Sequence, residues 1–207
     1  MQVVYLSTAY LGPIQQYCKF CEYDEVRMET AENYLKQTYR NRCVIASAGG
    51  PLALSVPIEK TDTLKCLTKD IRISNHGHWR HLHWNALVSA YSMSPFFEYY
   101  EEDFAPFYQK KYEFLFDFNE ELQQTVCRLL DLTPNIVYTN SYLPQVDHDF
   151  REIIRPKHET DDPAFRPKLY YQVFQKKYGF LPNLSIVDLL FNMGPEGLLV
   201  LRDSIVK

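Results

Sequence analysis

Four of the six histidines in this chain, His76, His78, His81 and His83, crowd into one short run beside both tryptophans, Trp79 and Trp84. An imidazole titrates near working pH, so it can take a proton from an acceptor amine or hydroxyl. His78 and His81 are three apart, and on a helix both reach toward one point. That spacing raises a metal site. Yet the run carries no Glu or Asp, and the metalloprotease pattern His-Glu-x-x-His is absent. A third ligand would have to come from afar, from Asp70, Cys43, His148 or Asp188. We therefore expect no metal and no cofactor. His83 and His81 are the candidates for a general base or a substrate clamp. The plain alternative is a histidine that bonds neighbouring backbone.

A second group is Arg40-Asn41-Arg42. If this piece is extended, both guanidinium groups leave the same side, with Tyr39, Asn41 and Gln37 facing away. Paired guanidinium groups grip a phosphate or carboxylate in two-pronged fashion. The competing reading is ordinary ion pairing with Glu29 or Glu32. A third group is Ser185, Asp188 and Asn192, which share one side of an otherwise apolar helix. A carboxylate among Val187, Leu189 and Leu190 wants a partner, and Arg40, Arg42 or a histidine would serve. Asp188 can instead cap its own helix. Cys18-Lys-Phe-Cys21 is a lone pair whose sulfurs share a helical face with Ile14 and Tyr17, which reads as burial rather than chemistry. The acidic run Glu98, Glu101, Glu102 and Asp103 reads as a solvated helix face.

The elements that must position these groups follow from periodicity. Val3 to Leu6 reads as a strand, and Gly12-Pro13 opens a helix with Ile14, Tyr17, Cys18 and Cys21 at helical spacing. Glu25 to Glu29 alternates as a second strand, giving a βαβ-like opening. Val44-Ile45-Ala46, the turn Gly49-Gly50-Pro51 and Leu52 to Ile58 predict a hairpin. Cys66 to Ile73 adds a further strand. Ser74 or Asn75 is placed to cap a helix whose body starts near Trp79. On that helix Trp84, Leu87, Val88 and Tyr91 make one apolar face, and Trp79, Leu82, Ala86 and Ala90 most of another. The polar strip His78, His81, Asn85, Ser89 and Ser92 then either faces a cleft or is satisfied within a core helix. After Ser94-Pro95, helices are expected over Phe96 to Tyr100, Phe104 to Phe116 and Asn119 to Leu130, the last capped from Asp117-Phe-Asn119. Asn135 to Tyr138 reads as a strand. Leu184 to Asn192 reads as a helix closed by Gly194, with another through Leu201. Residues 144–169 hold four prolines and many charges and read as an ordered loop or lid, with local disorder as the competing reading. The fold class expected is α/β: one mixed domain over residues 1–207, with a helical second half.

Bulk properties narrow the function. A net charge of −4 gives no electrostatic case for nucleic acid. No long apolar run suggests a membrane span, and the opening Met-Gln-Val-Val-Tyr-Leu-Ser has no basic n-region. Five cysteines without a framework spacing fit a reduced, cytoplasmic protein. Oligomeric state is not legible.

Several segments together resemble the WbqC-like family of bacterial proteins. They are Ala9-Tyr-Leu-Gly-Pro-Ile-Gln-Gln16, Gln37-Thr-Tyr-Arg-Asn-Arg42, Leu54-Ser-Val-Pro57, the Trp79/His83 region to Tyr91, and Leu184-Ser-Ile-Val-Asp-Leu-Leu-Phe-Asn-Met-Gly194. The resemblance implies a place in lipopolysaccharide or O-antigen biosynthesis, where some members carry the label of glycine or aminoacyl transferase. Tyr10, Gln15, Tyr39, Arg40, Asn41, Arg42, Trp79 and Asn192 are the expected substrate-binding residues. His83, His81 and Asp188 are the expected catalytic ones. The expected partner is a small molecule, a nucleotide sugar or aminoacyl donor. The competing class is a non-catalytic binding or accessory protein.

Overall fold

The structure is a computed structural model and describes residues 1–60, 65–156 and 162–206. Its architecture is mixed α/β. A strand over Val3–Ser7 (β1) buries Val4 and Leu6 and leads through Gly12-Pro13 into a helix over Ile14–Glu22 (α1). The return strand Glu25–Glu29 (β2) lies parallel to β1, with Val3 opposite Glu25 and Ser7 opposite Glu29. Together they make the expected βαβ opening. A hairpin follows, Arg42–Ser47 (β3) against Gly50–Ser55 (β4), antiparallel and closed where Ser47 faces Gly50.

The central helix runs over Trp79–Tyr91 (α2), and Phe97–Gln109 (α3) and Leu115–Leu129 (α4) come after it. The short strand Ile136–Tyr138 (β5) then joins β2 in parallel, giving a three-stranded sheet of order β1-β2-β5. A single turn of helix over Gln175–Tyr178 (α5) precedes Ile186–Met193 (α6) and Gly197–Asp203 (α7).

Helix α6 is the hub. Ile186, Val187, Leu189, Leu190 and Phe191 are all fully buried, as an all-round apolar helix requires. The Phe191 ring meets Tyr91, Phe97 and Phe104 at centroid distances of 5.1–5.3 Å. Backbone bonds lace α6 to the start of α1: Ile14 N donates to Leu184 O at 3.0 Å, and Ile186 N to Gly12 O at 2.9 Å. Gly194 ends α6 with φ of 56°, and a β-carbon there would come within 2.6 Å of the Phe96 ring. Only glycine satisfies both conditions.

Some local expectations need correction. Cys66 to Ile73 is not a strand but isolated bridges around a tight turn at Thr68–Asp70, because Thr68 turns inward and its N–H bonds Glu32 O at 2.9 Å. Ser74 does not cap α2. Its hydroxyl accepts the His76 N–H at the entry to the tight turn His76–His78, and α2 begins after His78, held at a left-handed φ of 49°. Helix α4 starts at Leu115, ahead of the expected cap. Asn119 lies inside it and donates from Nδ2 to the buried Arg40 carbonyl at 2.7 Å. The two helices expected over 96–116 are one, α3, which carries Pro106 inside it and so lacks one backbone N–H donor there. The polar strip of α2 faces solvent: His78, His81, Asn85, Ser89 and Ser92 are all exposed. Of the two tryptophans, Trp79 is the buried one; Trp84 is half-buried against Phe97 and Tyr108.

The described parts of 144–169 are irregular but pinned. Arg151 and Ile154 are buried, and Phe165 bridges to Ile205. Residues 157–161 of that expected lid lie outside the described residues. Among the described residues no helix is long and apolar enough to cross a membrane.

Candidate functional site

The carboxyl ends of parallel strands are where open α/β sheets offer ligand sites, because loops diverge there. Here that edge holds a concentration of charge. Arg40 grips Glu32 in two-pronged fashion, Nε to Oε1 at 2.7 Å and Nη2 to Oε2 at 2.6 Å. Ser7, the last residue of β1, accepts from Arg40 Nη2 at 2.8 Å and donates to Glu32 Oε2 at 2.8 Å. Glu29, the last residue of β2, accepts from Arg151 Nη1 at 2.8 Å and from Thr139 Oγ1 at 2.5 Å. Arg151 also forks onto Asp149, at 2.9 and 2.6 Å. Thr8 donates to Glu120 Oε1 at 3.1 Å, and the Tyr138 hydroxyl to Glu120 Oε2 at 2.8 Å. No cation touches Glu120 among the described residues, and burial pushes its carboxyl up to about 7. About half protonated at that pH, it can donate in its neutral form as well as accept.

These side chains leave almost no room. The void between Ser7, Thr8, Gln16, Arg40 and Arg151 measures about 10 Å³, too small for a substrate. Tyr39 forms one of its walls and also a wall of the neighbouring cleft, which measures about 560 Å³ and so suits a ligand of small-molecule size. Lys36, Gln37, Thr38, Arg42, Val44, Arg155 and Pro156 complete that cleft. Among the described residues, three of those lining it are cations and none is an acid. Arg42 Nε and Arg155 Nε are shut off from solvent, yet neither meets an acceptor among the described residues. Gln37 sits at the rim with a left-handed φ of 60°, a conformation that costs a non-glycine residue about 1–2 kcal/mol.

The expected site residues divide. Tyr39 and Arg42 line the cleft, and Arg40 stands behind it, sealed in its pair with Glu32. The two arginines therefore do not leave the same side, because β3 begins only at Arg42 and Arg40 lies in the turn before it. Tyr39 does not face away from Arg42 but lines the same cleft. Asn41 donates to Val56 O at 2.9 Å and ties the turn to the end of the hairpin.

Tyr10 and His83 lie in the core. The Tyr10 hydroxyl meets His83 Nδ1 and the Tyr108 hydroxyl, each at 2.9 Å, and its ring stacks on Phe118. Burial pulls the His83 imidazole down to about 4, partly offset by a bond to the Ser55 backbone, so it is neutral at pH 7. Trp79 packs edge-on against His83 and Phe118, and its indole N–H donates to Ser74 O at 3.0 Å. His81 is exposed and bonds Asn85 at 2.9 Å.

Asp188 is fully buried. Its carboxylate accepts from Tyr91 at 2.8 Å, Tyr170 at 2.6 Å and Gln172 at 3.1 Å, and burial raises its pKa against the pull of those bonds. Asn192 donates to the Asp188 backbone oxygen at 2.7 Å. Gln15 donates to Asp162 at 2.9 Å, beside the buried pair of Lys19 and Asp162. Helices α2 and α6 do pack on β3. What they enclose there is core, and neither His83 nor Asp188 lines the cleft.

Sequence reasoning missed Lys36, Arg155 and Glu120. Lys36 was legible as a cation close before the Arg-Asn-Arg run; Arg155 and Glu120 come from distant chain and carried no local signal. Of the Cys18/Cys21 pair, Cys18 is buried and Cys21 is half-buried against the core, its thiol pushed up to about 11 by burial. No cluster of three or more His, Cys, Asp or Glu with metal-holding geometry occurs among the described residues.

In comparison with known proteins, the family model described as "WbqC-like protein family" matches residues 9–162. That range takes in Tyr39, Arg42 and Arg155 and stops short of α6. No curated protein matches the chain. No solved structure matches it either.

Proposed function

The chain belongs to the WbqC-like protein family, and from that premise we propose a transferase that acts on an activated sugar or aminoacyl group in surface-polysaccharide assembly. The observation that carries this reading is the cation-lined cleft of about 560 Å³ beside the carboxyl edge of the parallel sheet. A donor of this kind pairs an anionic handle with a ring or acyl group. Arg42 would bind the handle and Tyr39 the neighbouring group, while Arg40, fixed by Glu32, holds the turn that presents both. The whole chain acts as one domain in the cytoplasm, where activated sugars are available, on a small-molecule substrate.

A second reading, a binding or accessory protein of the same pathway, is favoured by one observation. His83 and Asp188, the residues best suited to acid–base work, are buried and line no part of the cleft. In that reading they hold the core.

One experiment separates the two. Calorimetric titration with a panel of nucleotide sugars, followed by mass analysis of mixtures with acceptor amines and alcohols, tests binding and transfer in turn. We expect binding that Arg42→Gln weakens about tenfold or more, since a bond to a charged group contributes roughly 1.5–3 kcal/mol. Binding without product selects the accessory reading. Binding that survives Arg42→Gln unchanged removes the cleft from both.

A further inference from the structure

We propose that the cleft is a phosphoryl clamp with Arg42 and Arg155 as its two jaws, built for a doubly charged group such as a diphosphate rather than for a single carboxylate. This rests on the reading of the cleft as the ligand site and names the chemistry of the handle it takes.

The charge balance argues for a dianion. Arg40 is matched by Glu32, at 2.6 Å. Glu152 lies between the two sites, at 3.2 Å from Arg40 and 3.1 Å from Arg155. Taking Arg40, Arg42, Arg155 and Lys36 against Glu32 and Glu152 leaves two positive charges unmatched among the described residues. A carboxylate would neutralise one of them; a diphosphate neutralises both.

Donor geometry argues the same way. A guanidinium presents its Nε edge as a flat fork that matches two phosphoryl oxygens. In Arg40 that edge is filled by Glu32. In Arg42 and Arg155 the Nε is withdrawn from water and bonds no acceptor. A buried donor with no acceptor is an unfavourable arrangement, and native structures keep few of them without a use. Two around one cleft, from segments more than a hundred residues apart, mark the place where an anion seats after small torsions of both side chains. Glu152 holds Arg155 by Nη1 alone, which fixes that jaw while leaving its Nε edge unpaired.

The test is titration calorimetry on the full chain at fixed ionic strength. The probes are inorganic pyrophosphate, a nucleoside diphosphate, acetate and glycine. Pyrophosphate and the nucleoside diphosphate should bind, the second more tightly if a base or sugar also sits in the cleft. Acetate and glycine should not bind over the same range. Arg155→Gln and Arg42→Gln should each weaken pyrophosphate about tenfold, and Arg155→Lys should recover part of the loss, with unchanged melting in all three.

No binding of either diphosphate overturns the clamp, as does acetate or glycine competing equally well. If Arg42→Gln weakens binding and Arg155→Gln does not, the two-jaw clamp fails while the cleft remains the ligand site. If neither substitution affects any bound probe, the cleft itself is not the site, and the clamp falls with it.

Discussion

Arg40 and Arg42 flank one asparagine, and they live in opposite environments. Arg40 is 2% exposed and spends its guanidinium on Glu32 and Ser7. Arg42 opens onto a cleft with a buried donor that bonds nothing among the described residues. The first region is a closed account in which each buried charge meets an opposite charge or a hydroxyl. The second is open. A pair sealed on both sides holds structure, because removing either partner strands the other in low dielectric. A cation beside solvent with no acid to meet contributes little to folding, so its presence there calls for a ligand. The comparison assigns stability to one side of Tyr39 and recognition to the other.

The largest way to break this comparison is at Arg40. Arg40→Ala leaves Glu32 buried with only the Ser7 and Thr68 side chains beside its carboxylate among the described residues, and should cost about 3–5 kcal/mol of stability in denaturant unfolding. The doubly substituted Arg40→Met/Glu32→Leu should recover much of that loss, since no charge is then stranded. An Arg40→Ala protein that unfolds at the wild-type midpoint would place Arg40 with Arg42 as a ligand group.

Acid and base titration sharpens the claim that one side is sealed. His83 falls from 6.5 to about 4 on folding, because burial disfavours its charged form. Between those values the unfolded chain binds the extra proton, so this histidine makes stability rise with pH from about 4 to 6.5. Glu120 goes from 4.5 up to about 7. Across that window the folded chain holds the extra proton, so Glu120 makes stability fall as pH rises. Each effect spans about 3 kcal/mol. In wild type they oppose and largely cancel between pH 4.5 and 6.5. Glu120→Gln should therefore gain on wild type by about 3 kcal/mol as pH is raised through 4.5 to 7, and His83→Gln should lose by a similar amount over 4 to 6.5. Parallel slopes in all three proteins would mean that water reaches both groups.

Much of the frame was legible in the sequence, because it rests on short-range signals. Alternation at Glu25 to Glu29, the Gly12-Pro13 start of α1, the Gly49-Gly50 turn and the all-apolar Leu184 to Asn192 stretch each specify an element locally. What failed was set at long range. Asn119 reads as a cap by residue type, but a buried carbonyl from Arg40 claims its amide. His83 reads as a base by its ordinary pKa, but Tyr10 and Trp79 wall it off. The polar strip on α2 reads as a cleft wall, yet polar strips on helices more often meet water, as this one does. In the Arg-Asn-Arg run both of the weighed roles occur, one per arginine: Arg40 has the ion pair with Glu32, and Arg42 has the cleft. Pattern could not divide them, because β3 starts at Arg42 and only the register of β3 tells which side chain turns outward.

The smallest expected stability effect is the most telling. Arg42→Ala removes a half-buried cation that has no ion pair among the described residues, so unfolding should shift by no more than about 1 kcal/mol. The sign is informative. Truncation deletes a buried Nε that bonds nothing, and relieving such a donor offsets the packing lost with the aliphatic stem. We therefore expect the variant to melt within a few degrees of wild type in the absence of ligand. A saturating diphosphate should separate the two proteins. Ligand raises the stability of the form that binds it by RT ln(1 + [L]/Kd), about 2.7 kcal/mol at a hundredfold excess over Kd, and that increment should vanish in Arg42→Ala. Two melts with ligand and two without close the cycle. If Arg42→Ala is several kcal/mol less stable before any ligand is added, Arg42 has a structural partner. The contrast with Arg40 then collapses, and both arginines belong to one buried network.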